Sequence, residues 1–286
     1  MLVNSKEMLK RAKLGGFGIP ATDVFNLESL RGVLSAAKES DCPLIIAIAQ
    51  VHLEKISICE AVNLTKFYAN QMKQDIVLHL DHGFDIEVVK AAIDAGFTSV
   101  MYDGSSLPFE ENVSNTKIIV EYARKHNVTV EGEIGHVGSN SGDSGETKCN
   151  PQEDSTMLTT VTEALDFYDQ TGVDSLAVSI GTAHGNYTGT PKLDFKRLTE
   201  INNALEIPLV LHGGSGTGEA NLQKAVGLGI SKVNIYTDLI NAANKTYQNN
   251  KNDVNYFDIN VLAEEAIKNE LLRYYRVFMT NKYKNK

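Results

Sequence analysis

Cysteine is scarce in this 286-residue chain. Cys42, Cys59 and Cys149 are scattered, and no C-x-x-C pair exists. An odd, sparse count excludes a disulfide scaffold and fits a reducing compartment. No apolar run approaches the ~18 residues that a bilayer span needs. The first residues lack the long apolar core of a signal peptide. The expectation is therefore a cytoplasmic protein with no membrane partner. Basic residues are outnumbered, with Lys plus Arg 27 against Asp plus Glu 36, a formal charge of −9. A face built for a nucleic-acid backbone would be basic, so no nucleic-acid partner is expected. A small anionic substrate stays compatible, because a site can be locally positive inside an acidic protein. No low-complexity tract, short internal repeat or interdomain linker is visible. Apolar content of 42% and charged content of 22% are ordinary globular values.

What the chain does contain is a rhythm. Short apolar, β-branched runs occur at 43–51 (PLIIAIAQV), 75–80 (DIVLHL), 98–102 (TSVMY) and 128–134 (VTVEGEI). Others follow at 175–180 (SLAVSI), 207–211 (IPLVL) and 231–235 (SKVNI), and 19–22 supplies one more near the start. They do not alternate strictly, as expected of strands buried on both faces of a parallel sheet. Between them lie stretches with helical apolar spacing, such as 85–95 with Val88, Ala91, Ala92 and Ala95. Eight strands with helices between predict an α/β chain folded as one (β/α)8 TIM barrel over 1–286. A doubly wound open sheet is the alternative. Two segments break the rhythm. The stretch near 135–156 is rich in Gly, Ser and Asn and reads as a long lid loop. The chain end, 258–286, reads as a helical extension followed by a solvated Lys/Asn-rich tail.

In a barrel, residues just past the strands' C-terminal ends face the active site. Three of the seven histidines, His82, His184 and His212, stand at such ends, each followed by glycine. Three imidazoles around one ion with a position left open is the usual arrangement of catalytic zinc, and Co²⁺ or Fe²⁺ would also suit them. Asp103 and Glu133 are candidates for a second ion position or for supporting the ligands. His79 inside a strand, His126 in a helix and His52 beyond the second strand read as structural or solvated, and His136 stays ambiguous. Asp81 can face a substrate and suits general acid/base work, with a hydrogen-bonded strand cap as the alternative. Gly213, Gly214, Ser215 and Gly216 follow strand seven, and residues 234–237 follow strand eight. Loops there are the usual barrel phosphate site, where backbone N–H groups and a helix end meet an anion.

Several long motifs, in order, make the chain resemble the class II, metal-dependent ketose-bisphosphate aldolases. They are HLDHG (79–83), AAIDAGFTSVMYDGSSLPFEENV (91–113), VEGEIG (130–135), GTAHGNYTGTPKLDF (181–195), LVLHGGSG (209–216) and KVNIYTD (232–238). The resemblance implies reversible cleavage of a ketose 1,6-bisphosphate, of fructose or tagatose type, to dihydroxyacetone phosphate and an aldehyde. It implies His82, His184 and His212 as Zn²⁺ ligands and Asp81 as the proton-transfer residue. It implies Asp103 and Glu133 at an alternative metal position, for a second divalent or a monovalent cation. Gly185, Gly213, Gly214, Ser215, Asn234 and Thr237 would hold the dihydroxyacetone-phosphate half. A homodimer or homotetramer is implied in the same way.

The chain departs from the family pattern at the far end of the substrate. Ala49 stands where members often carry a Ser that helps to hold the distal phosphate. Glu264 stands near the place of a phosphate-binding Arg, with Arg273 or Arg276 as possible substitutes. The family's lid glutamate matches Asn140 or Ser141, with Asp143 or Glu146 as candidate replacements. Tyr236 also differs from common family residues. These departures favour an alternative reading, an aldolase for a ketose 1-phosphate whose far end is not a phosphate. Three rivals remain: a Schiff-base aldolase using Lys232, a non-catalytic sugar-phosphate-binding barrel, and a barrel metallohydrolase with a metal-bound water as nucleophile.

Overall fold

A computed structural model describes residues 1–138, 157–187 and 189–284. Eight strands pair in parallel in chain order. They are β1 (Ile19–Asp23), β2 (Leu44–Ala49), β3 (Ile76–Gly83), β4 (Ser99–Tyr102), β5 (Thr129–Ile134), β6 (Ser175–Val178), β7 (Leu209–Leu211) and β8 (Ile230–Ile235). β8 returns to pair with β1, with Ala21 beside Asn234, so the sheet closes into a barrel and the open-sheet alternative fails. The helices are α1 (Lys6–Gly15), α2 (Leu27–Ser40), α3 (Ile58–Ala69), α4 (Ile86–Ala95), α5 (Phe109–Arg124), α6 (Val161–Thr171), α7 (Phe195–Ala204), α8 (Glu219–Gly227), α9 (Thr237–Asn250) and α10 (Tyr256–Val277). β2 ends at Ala49, earlier than its apolar run suggests, because the chain turns into a short 3₁₀ helix at Gln50–Glu54. No helix among the described residues is long and apolar enough to cross a membrane.

Strand parity explains the unbroken apolar runs. Leu44, Ile46 and Ile48 of β2, and Ile76, Leu78 and Leu80 of β3, join the core between sheet and helices. Ile45 and Val77 point the other way and join a second cluster inside the barrel. At these positions both faces are buried, so both are apolar. The inner cluster is completed by Met8, Leu9 and Ala12 of α1 and by Phe17, so α1 seals the N-terminal end of the barrel. The opposite end, where Asp81, His82 and His212 lie, carries the site.

The chain end keeps Asn281, Lys282 and Lys284 exposed, as expected of a solvated tail, but Thr280 and Tyr283 anchor it. Past α10, residues Thr280–Lys284 form a 3₁₀ helix packed against the barrel floor. Thr280 is buried and donates to the Gly18 carbonyl at 2.7 Å. The Arg11 guanidinium sits 3.7 Å above the Tyr283 ring, and the Tyr283 hydroxyl donates to Asp75 at 2.7 Å. Lys/Asn-rich composition hid this because one aromatic ring makes the anchor. Tyr283→Ala removes a cation–π contact and a hydrogen bond, together about 2 kcal/mol. Thermal unfolding should show Tm lower by about 4 °C or more. An unchanged Tm would mean that the tail contributes nothing.

Candidate active site

The inward positions of β3 are Val77, His79 and Asp81, and by the same parity His82 belongs to the helix side. It does not lie there. The β3–β4 register shifts between Leu80 and Gly83, and His82 takes φ of 44°. Such left-handed backbone is costly for a non-glycine residue and marks sites where direction matters. The bulge brings Asp81 and His82, neighbours in sequence, into the same cavity of about 290 Å³.

His184 follows β6 and His212 follows β7. The ring centroids of His82 lie 4.5 Å from His212 and 5.0 Å from His184. One ring nitrogen from each of the three lies within 4.8 Å of the others. Hydrogen bonds settle the tautomers. His82 Nδ1 donates to Asp103 at 2.8 Å, and His212 Nε2 donates to Glu131 at 2.9 Å. Burial, and then the charge of His82, holds the His212 pKa below the usual value, so it is neutral near pH 7. The remaining nitrogens, His82 Nε2 and His212 Nδ1, face each other at 2.9 Å. Ring nitrogens at this distance share a proton or a cation. The donor set therefore fits a borderline divalent metal ion. Asp103 and Glu133 also come together with His82, with one ligand atom of each within 4.8 Å of the others.

Asp81 is buried at 2% exposure. Burial alone would raise its pKa, but the nearby His82, His212 and Lys232 hold it well below the usual carboxylate range. Asn234 donates to Asp81 Oδ1 at 2.8 Å and lies 3.3 Å from His212 Nδ1. Asp23, at the end of β1, behaves oppositely. Burial and the neighbouring Asp81 charge push its pKa well up, and its Oδ1 has no hydrogen-bond partner among the described residues.

Gly185, Gly213, Gly214, Ser215, Asn234 and Thr237 all line the cavity. Two of the glycines are required sterically. A Cβ on Gly213, where φ is 67°, would stand 2.6 Å from the Ala183 carbonyl oxygen, and one on Gly214 would stand 2.8 Å from the Asn234 carbonyl oxygen. The Ser215 hydroxyl accepts from the backbone N–H groups of Tyr236 (3.2 Å) and Asp238 (3.1 Å), tying the β7 and β8 loops together. α9 starts at the cavity-lining Thr237, while the Asp238 N–H is bonded to Ser215 and those of Leu239 and Ile240 to the Tyr236 carbonyl.

Three expectations change. His52, read as structural or solvated, also lines the cavity, with its ring 5.0 Å from Tyr236 and 5.9 Å from Phe25. Only its position after β2 could have signalled this. Arg273 is tied to Glu219 at 2.8 Å and to Glu270, Arg276 is exposed, and neither lines the cavity. Glu264 faces Arg31 at 3.3 Å instead of the site. Lys232 does not reach the cavity as a Schiff-base lysine must. It is 1% exposed and donates to both Glu131 oxygens at 3.0 and 2.8 Å. His79 is buried between Ser99 and Lys232, while His126 bonds the Tyr122 carbonyl on the surface. His136 lies 3.2 Å from the Ser105 hydroxyl. The lid candidates Asn140, Ser141, Asp143 and Glu146 lie outside the described residues.

The chain matches the family described as "Fructose-bisphosphate aldolase class-II" over residues 3–282. A sulfofructosephosphate aldolase of Alkalicoccus urumqiensis is 39% identical over 237 residues, which are 83% of this chain and 81% of that one. The YdjI aldolase of Escherichia coli K12 superposes with TM-score 0.87 at 31% identity, covering 98% of each chain. A fructose-bisphosphate aldolase of Campylobacter jejuni shares the fold, with TM-score 0.78 at 22% identity over 98% of this chain and 96% of that one. Such aldolases typically depend on a divalent metal ion, which agrees with the converging imidazoles. The chain therefore belongs to the class II fructose-bisphosphate aldolase family and is an aldolase, a carbon–carbon lyase built on a (β/α)8 barrel.

Proposed function

We propose that the protein reversibly cleaves a ketose 1-phosphate to dihydroxyacetone phosphate and an aldehyde whose far end is not a phosphate. The observation that carries this reading is the absence of any Lys or Arg among the described residues lining the cavity. One phosphate would sit in a cradle of the β7 and β8 loops, beside the glycines and the start of α9. A second would meet Ala49, Val51, His52 and the Asp23 carboxyl near the ends of β1 and β2. A desolvated dianion beside a carboxyl without a cation is unfavourable. The relative's name agrees, since sulfofructosephosphate is not a bisphosphate.

The chain's groups divide the work. His82, His184 and His212 would hold Zn²⁺, with Asp103 and Glu133 offering an alternative position. Such a cation supplies Lewis-acid stabilisation of the negative charge that develops on the dihydroxyacetone-phosphate fragment. Asp81 takes the C4 hydroxyl proton during cleavage and returns it during condensation. Asn234 fixes the Asp81 carboxylate by donating to Oδ1. The cradle anchors the phosphate, so binding energy far from the broken bond serves the chemical step.

A panel of ketose 1-phosphates and 1,6-bisphosphates tests the substrate class. We expect kcat/KM for the best ketose 1-phosphate, sulfonated or plain, to exceed that for fructose and tagatose 1,6-bisphosphate by about tenfold or more, a margin of ~1.4 kcal/mol. A large preference for a bisphosphate would overturn the reading.

A further inference from the structure

Beneath the cavity the barrel interior is polar where such barrels usually pack branched apolar side chains. His79 of β3, Ser99 of β4, Glu131 of β5 and Lys232 of β8 form this layer, each at most 3% exposed. They are joined in a chain. Ser99 Oγ lies 2.8 Å from His79 Nδ1, His79 Nε2 lies 3.1 Å from Lys232 Nζ, and Lys232 donates to both Glu131 oxygens. The chain ends at the cavity floor, where His212 Nε2 donates to Glu131 Oε1. Removing four polar groups, two of them an ion pair, from water costs several kcal/mol that an apolar layer would not. Their place under the three histidines suggests what that cost supports.

We propose that Glu131, held in place by Lys232, is a positioning residue that sets His212 for the metal ion. The Glu131 carboxylate accepts a hydrogen bond from Nε2–H, so the proton stays on Nε2 and the lone pair of His212 on Nδ1, the nitrogen that faces His82 Nε2 at 2.9 Å. Without that acceptor the neutral ring can carry its proton on Nδ1 and point it at the ion. Lys232 keeps both Glu131 oxygens bonded inside the barrel wall and thereby keeps the carboxylate from rotating up to compete as a ligand. His79 Nε2 accepts a further hydrogen bond from Lys232, and Ser99 holds the other nitrogen of that ring. This inference rests on the metal-site reading above.

Two double variants of the full chain separate positioning from plain stability. Glu131→Leu with Lys232→Met removes both charges and the acceptor at similar volume, an exchange that buried ion pairs often tolerate. Glu131→Gln with Lys232→Met also removes both charges but keeps an amide oxygen for His212 Nε2. Zinc affinity, measured by competition with a chromophoric chelator, should fall by about 10–100-fold in the leucine variant. It should be largely restored in the glutamine variant. The Co²⁺ absorption spectrum should shift in the first and not in the second, while the metal-free Tm of the two stays similar. In metal-free wild type, ¹⁵N-histidine NMR should show the His212 proton on Nε2, a readout that depends on no variant. Equal zinc affinity and equal spectra in the two variants, or a proton on Nδ1, would overturn the proposal. If wild type itself fails to bind zinc, the metal-site reading fails instead.

Discussion

Asp81→Asn is expected to lower kcat for aldol cleavage by about 10²–10⁴-fold, the usual contribution of a positioned proton-transfer group. The amide keeps the side chain's volume in its buried place but cannot take a proton. KM should change little, since Gly213, Gly214 and Ser215, the proposed phosphate cradle, are untouched. One partial reaction sharpens the test. Exchange of the dihydroxyacetone-phosphate C3 proton with solvent does not involve the C4 hydroxyl. If Asp81 serves the aldehyde half, exchange should survive in Asp81→Asn while cleavage is lost. Equal loss of both would assign Asp81 to the other half-reaction, and full activity would remove it from the chemistry. The alternative reading of Asp81, a strand-end cap, predicts a stability loss with kcat nearly intact.

His212→Ala, or exhaustive chelation of wild type, should reduce cleavage by at least about 10³-fold. Lewis-acid stabilisation is worth several kcal/mol, and each ~1.4 kcal/mol is a factor of ten. Added Zn²⁺ should restore the chelated wild type but not the variant, which loses a ring that faces His82 at 2.9 Å. Binding also raises stability by mass action, by about 4 kcal/mol at a thousandfold excess over Kd. Wild type should therefore show a metal-dependent rise in Tm of several degrees, and His212→Ala a much smaller one. Activity that persists under chelation would favour a metal-free mechanism and would contradict the donor arrangement.

The sequence reading of the candidate site has a local basis. In a barrel the end of each strand is a landmark, and a run such as LVLHGGSG shows strand, ligand and glycine turn in one stretch. His82, His184, His212 and Asp81 were legible because each sits at such an end. The phosphate loops were legible because glycines at 213 and 214 permit backbone approach that a Cβ would block. The weaker readings share another cause. His52, Glu131 and Lys232 matter through partners far along the chain, such as Lys232 to Glu131 at a separation of 101 residues. No local pattern encodes which side of the barrel wall a buried charge meets. Tyr283 is similar, since its anchor lies 208 residues away at Asp75.

The chain by itself therefore determined the alternation of strands and helices and the residues at the strand ends. These follow from short-range rules of parity, turn chemistry and side-chain type. Only the tertiary structure decided that a bulge turns His82 into the cavity beside Asp81. Only it showed that Arg273 is spent on Glu219 and that a buried polar layer stands under the three imidazoles. Barrel closure supplies the reason: it brings β3, β5, β7 and β8 around one axis, and directions across that axis depend on register, which local sequence does not specify.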